Sequence, residues 1–383
     1  MGRSVRARAA GLGLLMALSA CAGPSGRGAP AAPAASPKVP ARCSGPGGDD
    51  LRAEPVRSPW RAVPAGEGHG TLDRLAVSAD GAVWAVRSVQ RETAAGMETT
   101  SGGLSRWDGA RWRTYALPSG MTVAALGALS DERAWAFGTG DDERPGLVAG
   151  VADGAVSAPT APEEAASAIG LHGTAASGPW AVSGRDALRW DGSAWRAYRL
   201  PAPARALGGE GADVWAVGET AREPAARWNG TAWQAVPLPE PAAPRGAASA
   251  RTGLGDVAVL GPGDVWVVGG LSWFPPDEYD EQGEPLERRR PLALHWDGSA
   301  WRCRWGPEGA AFTEAEPDGR AGLWVLDSTR SRLHHYAAGR WTTTSVPGTV
   351  TALARRPGTT EVYAAGWTGP EGALTRPALW LTR

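Results

Sequence analysis

The chain has 383 residues and a formal net charge of −1. This near-neutral balance gives no electrostatic reason to expect nucleic acid or an anionic membrane surface as a partner. Glycine and proline are abundant, with 53 and 32 residues, and this many helix breakers argues against a helical repeat architecture.

Residues 1–20 are predicted to be a lipoprotein signal peptide. Three arginines precede the apolar run "AAGLGLLMALSA", which is too short to be a stable membrane anchor. The run ends in Leu18-Ser19-Ala20-Cys21, which resembles a bacterial lipobox. The resemblance implies a lipid on Cys21 and an extracytoplasmic location at the cell membrane. An ordinary secretory signal is the alternative.

Residues 21–57 are predicted to form a tether between this lipid and a folded domain at 58–383. The segment is rich in Pro, Ala, Gly and Ser and has few side chains to bury, so packing cannot offset the entropy of ordering it. With Cys21 lipidated, Cys43 and Cys303 remain as a pair in an oxidising compartment, where a disulfide is allowed. Two free or buried thiols are the alternative.

Two landmarks recur through residues 58–383. One is a hairpin of the type "LRWDGSAWRAYRLP", in which Asp-Gly supplies the positive φ that a tight turn needs. Parity places Trp107 and Trp112, on either side of one such turn, on the same face of a sheet. The other landmark is a short apolar run around an aromatic residue, with a mean spacing of about 46 residues. These landmark aromatics are Trp84, Trp135, Trp180, Trp215, Trp266, Trp324 and Tyr363.

Each repeat divides into four short strands, which predicts an all-β fold of the β-propeller type. The last unit, from Thr349, has only three strands, whereas "SPWRAVPAG" around Trp60 matches the fourth-strand pattern. We therefore predict seven four-stranded blades, with the N-terminal strand completing the last one. The degenerate second unit leaves six or eight blades open. The domain resembles secreted bacterial propellers with kelch-like or WD-like aromatic repeats, which implies an architecture and no particular activity.

The connections between second and third strands vary greatly in length, whereas the repeated hairpins are short. Insertions on one face predict that binding occurs there. The richest connection is "LSWFPPDEYDEQGEPLERRRP" in the fifth unit, where exposed aromatics and arginines are typical anchors of a protein interface. A solvated loop whose charges pair among themselves is the alternative. The predicted partner-binding residues are Trp273, Phe274, Tyr279, Arg288, Arg289 and Arg290.

No catalytic residue, metal site or cofactor is predicted. The acidic run of the fifth connection lacks the ligand spacing of a calcium loop, and adjacent His334 and His335 face opposite sides of a predicted strand. First strands such as "RLAVSA" are apolar and small, so we expect a central channel without converging catalytic groups. A non-catalytic scaffold for a protein or glycan partner in the cell envelope is favoured. An envelope enzyme acting on carbohydrate or peptide at the channel, and a structural spacer, are the alternatives.

Overall fold

A computed structural model of the protein describes residues 43–46, 52–94, 96–130, 132–140, 147–158, 170–174, 178–329, 331–370 and 374–382. Within these ranges the chain forms strands and turns and no helix, and thus no helix able to cross a membrane. The predicted signal peptide, Cys21 and most of the tether lie outside the described residues.

The described residues form 28 strands. Most are short because Gly-containing turns interrupt the apolar runs at regular intervals. In chain order they are β1 (Ala53–Pro55), β2 (Arg61–Val63), β3 (Gly70–Val77), β4 (Val83–Thr93), β5 (Gly96–Trp107), β6 (Trp112–Tyr115), β7 (Thr122–Ser130), β8 (Arg133–Thr139), β9 (Leu147–Ala152), β10 (Ala155–Ser157), β11 (Gly170–Thr174), β12 (Gly178–Trp190), β13 (Trp195–Ala204), β14 (Ala206–Glu210), β15 (Asp213–Val217), β16 (Ala225–Trp228), β17 (Trp233–Val236), β18 (Ala248–Gly261), β19 (Asp264–Phe274), β20 (Arg288–Trp296), β21 (Trp301–Trp305), β22 (Phe312–Pro317), β23 (Leu323–Asp327), β24 (Arg332–Ala337), β25 (Arg340–Ser345), β26 (Thr349–Arg355), β27 (Val362–Thr368) and β28 (Arg376–Leu381).

These strands form seven antiparallel blades, which confirms the predicted seven-bladed β-propeller. In the third blade one long strand, β12, pairs with β11 through its first half and with β13 through its second half. It therefore takes the place of both middle strands. Blades 1 to 7 consist of β3–β6, β7–β10, β11–β13, β14–β17, β18–β21, β22–β25 and β26–β28 with β2.

The N-terminal chain closes the ring. β2 pairs antiparallel with β28, so the N-terminal strand completes blade 7 as predicted. β1 adds a parallel fifth strand to the outer edge of blade 6 by pairing with β25. Both contacts cover strand edges that are otherwise open to pairing with another chain.

Cys43 extends this contact to blades 4 and 5. Its backbone forms an isolated parallel β-bridge with Pro241. Its side chain forms a disulfide with Cys303 of β21 at a Cα–Cα distance of 5.8 Å. The indole of Trp305 donates a hydrogen bond to the carbonyl of Ser44 at 2.8 Å. We call Cys43, β1 and β2 the rim strap. Cys43 and β1, which belong to the predicted tether at residues 21–57, thus contact the propeller.

The landmark aromatics lie in the core between neighbouring blades. Trp84, Trp180, Trp215 and Trp266 are fully buried. Tryptophans of the repeated hairpins add further rings between neighbouring blades. Much of the core between blades therefore consists of aromatic side chains packed against one another. In the hairpin of blade 1, Trp107 and Trp112 are direct cross-strand partners with ring centroids 5.7 Å apart, as the parity predicted.

A basic or imidazole side chain covers the landmark tryptophan in several blades. The guanidinium of Arg227 lies 5.6 Å from the ring of Trp215, and Arg189 lies 5.5 Å from Trp180. In blade 5 the imidazole of His295 stacks on the ring of Trp266 at 4.2 Å. These contacts give the repeated Arg-Trp and His-Trp pairs of the hairpins a structural role.

The two adjacent histidines of blade 6 are held by different aspartates. His335 Nε2 lies 2.9 Å from Asp318 Oδ2, and the nitrogen of His334 lies 3.6 Å from Asp327. The two rings contact different aromatic neighbours, Trp324 and Phe312. This is the opposite-face arrangement that the sequence predicted. Among the described residues, no group of three His, Cys, Asp or Glu side chains has the geometry to hold a metal ion.

Candidate functional site

The hairpin face of the propeller consists of short, closely similar turns. In blade 3 the carboxylate of Asp191 accepts hydrogen bonds from the backbone N–H groups of Ser193 and Ala194, each at 2.9 Å. Asn229 makes the same two contacts in blade 4, at 3.0 and 2.9 Å. A turn in which the first side chain accepts hydrogen bonds from the following backbone N–H groups is compact. Turns of this kind leave few grooves or projections for a ligand to contact.

The opposite face, which we call the loop face, carries the second-to-third-strand connections and the passages between blades. In blade 1 the connection predicted as a loop is a hairpin arm, because β4 and β5 stay paired out to Thr93 and Gly96. Most of the connection in blade 2 lies outside the described residues. The blade 5 connection, residues 275–287, is fully described and is the longest irregular segment between middle strands.

The structure corrects the expectation that Trp273 is exposed. Its side chain is buried in the core cluster shared by blades 4 and 5. Phe274 is half-buried, whereas Tyr279 is 60% exposed. Of the three predicted aromatic anchors, Tyr279 is therefore the one that a partner can reach without rearrangement.

The three predicted arginine anchors make contacts within the loop face. The Nε of Arg288 donates to Glu278 at 2.9 Å, and another of its guanidinium nitrogens lies 3.3 Å from Glu308. Side chains of Arg288 and Arg289 remain 40% and 56% exposed, so both guanidinium groups stay open to solvent. Arg289 donates to the Glu287 carboxylate, and Arg290 donates to the carbonyl of Gly306.

A groove of about 780 Å³ lies on the same face, between blades 4 and 5. Its size is within the range of ligand pockets, roughly 300–1,000 Å³. The walls come from the middle connection of blade 4 and from the passage between the two blades. We call it the blade 4–5 groove, and its lining includes Thr220, Arg222, Glu240, Ser249, Arg251 and Leu271.

The central channel is much smaller and lies nearer the hairpin face. Its lining comes from the second halves of the first strands and encloses about 130 Å³, room for several water molecules. One residue from each blade pairs with that blade's landmark aromatic and lines this cavity. These ring residues are Ala76, Gly127, His172, Gly208, Ala258, Glu316 and Ala354.

Small residues in this ring allow the strands to converge. At Gly208 a Cβ atom would lie 2.2 Å from the carbonyl oxygen of Val257, so only glycine fits there. His172 and Glu316 depart from the pattern, and Asp256 and Arg355 also line the cavity. The first strands quoted from the sequence are apolar and small, but those of blades 3, 5, 6 and 7 also bring charged or titratable groups to the cavity.

Two channel-side carboxylates tie neighbouring blades together. Asp256 of blade 5 accepts hydrogen bonds from the backbone N–H of Ala315 in blade 6, at 3.0 Å, and of Val257, at 2.8 Å. Glu314 of blade 6 makes the same kind of contact, because it accepts a hydrogen bond from the backbone N–H of Leu353 in blade 7 at 2.7 Å. Backbone N–H groups near β-bulges would otherwise lack partners, so these carboxylates have a structural role.

Glu316 and Asp256 have strongly raised pKa values. Burial raises the pKa of Asp256 to about 7. Burial and then the negative charge of Asp256 raise the pKa of Glu316 to about 8, although Arg355 opposes the shift. Both side chains keep a part of their surface open to the cavity.

The free energy of unfolding should fall as pH rises from 5 to 8.5. In the unfolded chain both carboxyls have ordinary pKa values near 4, so between about pH 4 and pH 8 the folded protein binds more protons. A decrease on the order of 2 kcal/mol is expected, since water in the cavity weakens the full effect. Urea unfolding followed by tryptophan fluorescence at pH 5, 6.5 and 8.5 measures it.

Glu316→Gln is the matched variant, because the amide cannot titrate. It should flatten the pH dependence and be more stable than the wild type at pH 8.5. A wild-type stability that rises over this range, or an unchanged slope in the variant, would contradict the assignment. The other charged or titratable groups around this pair are His172, Arg205, Glu314 and Arg355.

The sequence contains a signal for the channel residues. Each ring residue lies about eight positions before its landmark aromatic, and at five of the seven positions it is Ala or Gly. His172 and Glu316 stand out once the first strands are aligned in this way. The blade 4–5 groove has no such signal, because its walls come from two different repeats.

Comparison with known proteins supports the same fold class, a seven-bladed β-propeller. No protein-family model matches the chain, and no curated protein does. Solved structures do match. YCF48 bound to D1 peptide aligns with a TM-score of 0.50 and 14% identity, over 86% of this chain and 96% of that one.

YCF48 from Cyanidioschyzon merolae aligns with a TM-score of 0.51 and 12% identity, over 85% of this chain and 98% of that one. The extracellular domain of BT4673 from B. thetaiotaomicron gives 0.50 and 11%, over 85% of this chain and 40% of that one. At these identities the similarity is one of fold alone.

Proposed function

We propose that the chain is an exported, lipid-anchored β-propeller that acts as a non-catalytic binding or assembly scaffold for a protein partner. The loop face makes the contact. Cys21 carries the lipid, and the Pro- and Ala-rich segment that follows it separates the propeller from the membrane. This places the loop face within reach of other proteins of the cell envelope.

The proposal rests on the difference in volume between the two candidate sites. The groove on the loop face has about 780 Å³, whereas the channel cavity has about 130 Å³. Pockets that bind small molecules are typically about 300–1,000 Å³. Asp256, which lines the channel, also accepts a hydrogen bond from a backbone N–H group of the next blade. A catalytic channel is therefore the weaker alternative.

On the same face as the groove, exposed Tyr279 and the half-exposed Arg288 and Arg289 supply side chains of the kind that anchor protein interfaces. YCF48, a propeller of similar architecture, is described in complex with the D1 peptide. That complex makes peptide binding by such a propeller a reasonable model for this chain.

Photo-crosslinking in intact cells tests the proposal. With p-benzoylphenylalanine in place of Tyr279, we expect a covalent adduct with one specific protein, identified by mass spectrometry. The same group in place of Ser193, which is exposed in a hairpin of the opposite face, should give no such adduct.

Equal capture at both positions, or capture at neither, would count against binding through the loop face. In the same cells a Cys21→Ala variant should leave the membrane fraction. If it stays there unchanged, the lipid anchor is wrong while the binding result stands on its own.

A further inference from the structure

The blade 4–5 groove has an excess of positive charge. Arg222 lies 3.4 Å from Glu240, so these two charges offset each other. Arg251 is exposed at the groove, and no carboxylate of the described residues lies within ion-pair distance of it. A guanidinium that lines a groove and has no counter-charge among the described residues is suited to bind a carboxylate.

The backbone beside Arg251 is irregular. The pairing of β18 with β19 passes from Ala248 directly to Arg251, so Ser249 and Ala250 stand outside the ladder. Ser249 has a φ of +52°, a left-handed conformation that is uncommon for serine. Bulges and strained residues of this kind occur at binding sites, where they present backbone groups to a ligand.

The walls suit an extended peptide. The lining includes hydroxyl-bearing Thr220, Ser249 and Thr252 and apolar Ala243 and Leu271. Such a lining offers hydrogen bonds to a peptide backbone and apolar contact to small side chains. A groove that combines these features with Arg251 selects for a peptide with a negative charge.

The chain's own N-terminal segment does not have this chemistry. Residues 22–42, which precede the contact of Cys43 with the groove wall at Pro241, contain Arg27, Lys38 and Arg42 and no acidic residue. A basic segment is not complementary to Arg251, which favours an acidic partner over self-occupancy.

We propose that the blade 4–5 groove binds an extended peptide segment that carries an acidic side chain, with Arg251 contacting its carboxylate. The proposal rests on the proposed function and names the chemistry of the partner. It also locates the contact next to Cys43, where the tether joins the propeller.

The probe is an immobilised array of random octapeptides, incubated with the purified full-length lipoprotein in detergent micelles. We expect retained peptides to be enriched in Asp and Glu. For the tightest peptide, measured by fluorescence anisotropy, Arg251→Gln should weaken binding roughly tenfold, as should the replacement of its acidic residues by amides. Arg245→Gln, at an exposed arginine outside the groove lining, should leave the affinity unchanged.

Ala243→Trp provides a second test, because a large side chain there would fill the groove and should abolish binding. The urea midpoints of all variants establish that they are folded. Retained peptides without acidic enrichment, or equal affinities of wild type and Arg251→Gln, would overturn the proposal. If Tyr279 captures a partner in cells while the array retains no acidic peptide, the groove assignment fails and the scaffold function stands. If neither occurs, both fail.

Discussion

Replacement of Trp180 by alanine should lower the free energy of unfolding by about 3–5 kcal/mol. The side chain is fully buried, and its ring lies 5.5 Å from Tyr198, 5.1 Å from Trp228 and 5.3 Å from Trp233. Alanine would remove these contacts and leave a cavity between blades 3 and 4 that rigid strands cannot close. Urea titration followed by far-ultraviolet circular dichroism measures the loss without relying on tryptophan emission.

Trp112→Ala is the matched control. Its ring is half-buried at the end of a hairpin, and its indole donates one hydrogen bond to the carbonyl of Pro64 at 3.0 Å. We expect a loss of about 1–2 kcal/mol, from that hydrogen bond and the partial burial. Equal losses for the two variants would show that burial of the landmark ring does not dominate blade packing.

Loss of the Cys43–Cys303 disulfide should cost about 2–4 kcal/mol. The two cysteines are 260 residues apart in sequence, so the bond constrains a very long loop of the unfolded chain. It also fixes one end of the rim strap against blades 4 and 5. A Cys43→Ala, Cys303→Ala double variant and the wild type in reducing agent should have the same lower urea midpoint.

The double variant in reducing agent is the control for effects of the reductant on other groups, and its midpoint should not move further. If reduction leaves the wild-type midpoint unchanged, the crosslink does not contribute to stability. If reduction lowers the wild type more than the double substitution does, the reductant acts elsewhere.

The architecture was predictable because its determinants are local and repeated. Landmark aromatics such as Trp84 and Trp266, and Asp-Gly turns such as Asp191-Gly192, recur at a fixed period, so each copy supports the interpretation of the others. The closing strand around Trp60 was recognisable for the same reason. It carries the fourth-strand pattern, and the last unit lacks that strand.

The features that the sequence did not reveal depend on contacts between repeats. The sequence assigns Trp273 to a long, polar connection, which indicates exposure. In the structure β19 extends to Phe274, and Trp273 is buried in the core cluster shared by blades 4 and 5. Asp256 belongs to a first strand without a strong motif, and it is not one of the ring residues. Whether its side chain reaches the channel depends on a bulge that no local pattern specifies.

The rim strap has a consequence for the order in which the protein folds. Synthesis delivers β1 and β2 before the blades, yet their partners β25 and β28 lie in blades 6 and 7. β1 must therefore wait while five blades form, and β2 while six form. Ring closure is then a late event, because it pays the entropic cost of closing a long loop. It is slow relative to the formation of the local hairpins. Until it occurs, the open edges of β25 and β28 can accept strands from other chains. Premature release of a half-made ring would therefore favour strand exchange between molecules over the closed monomer.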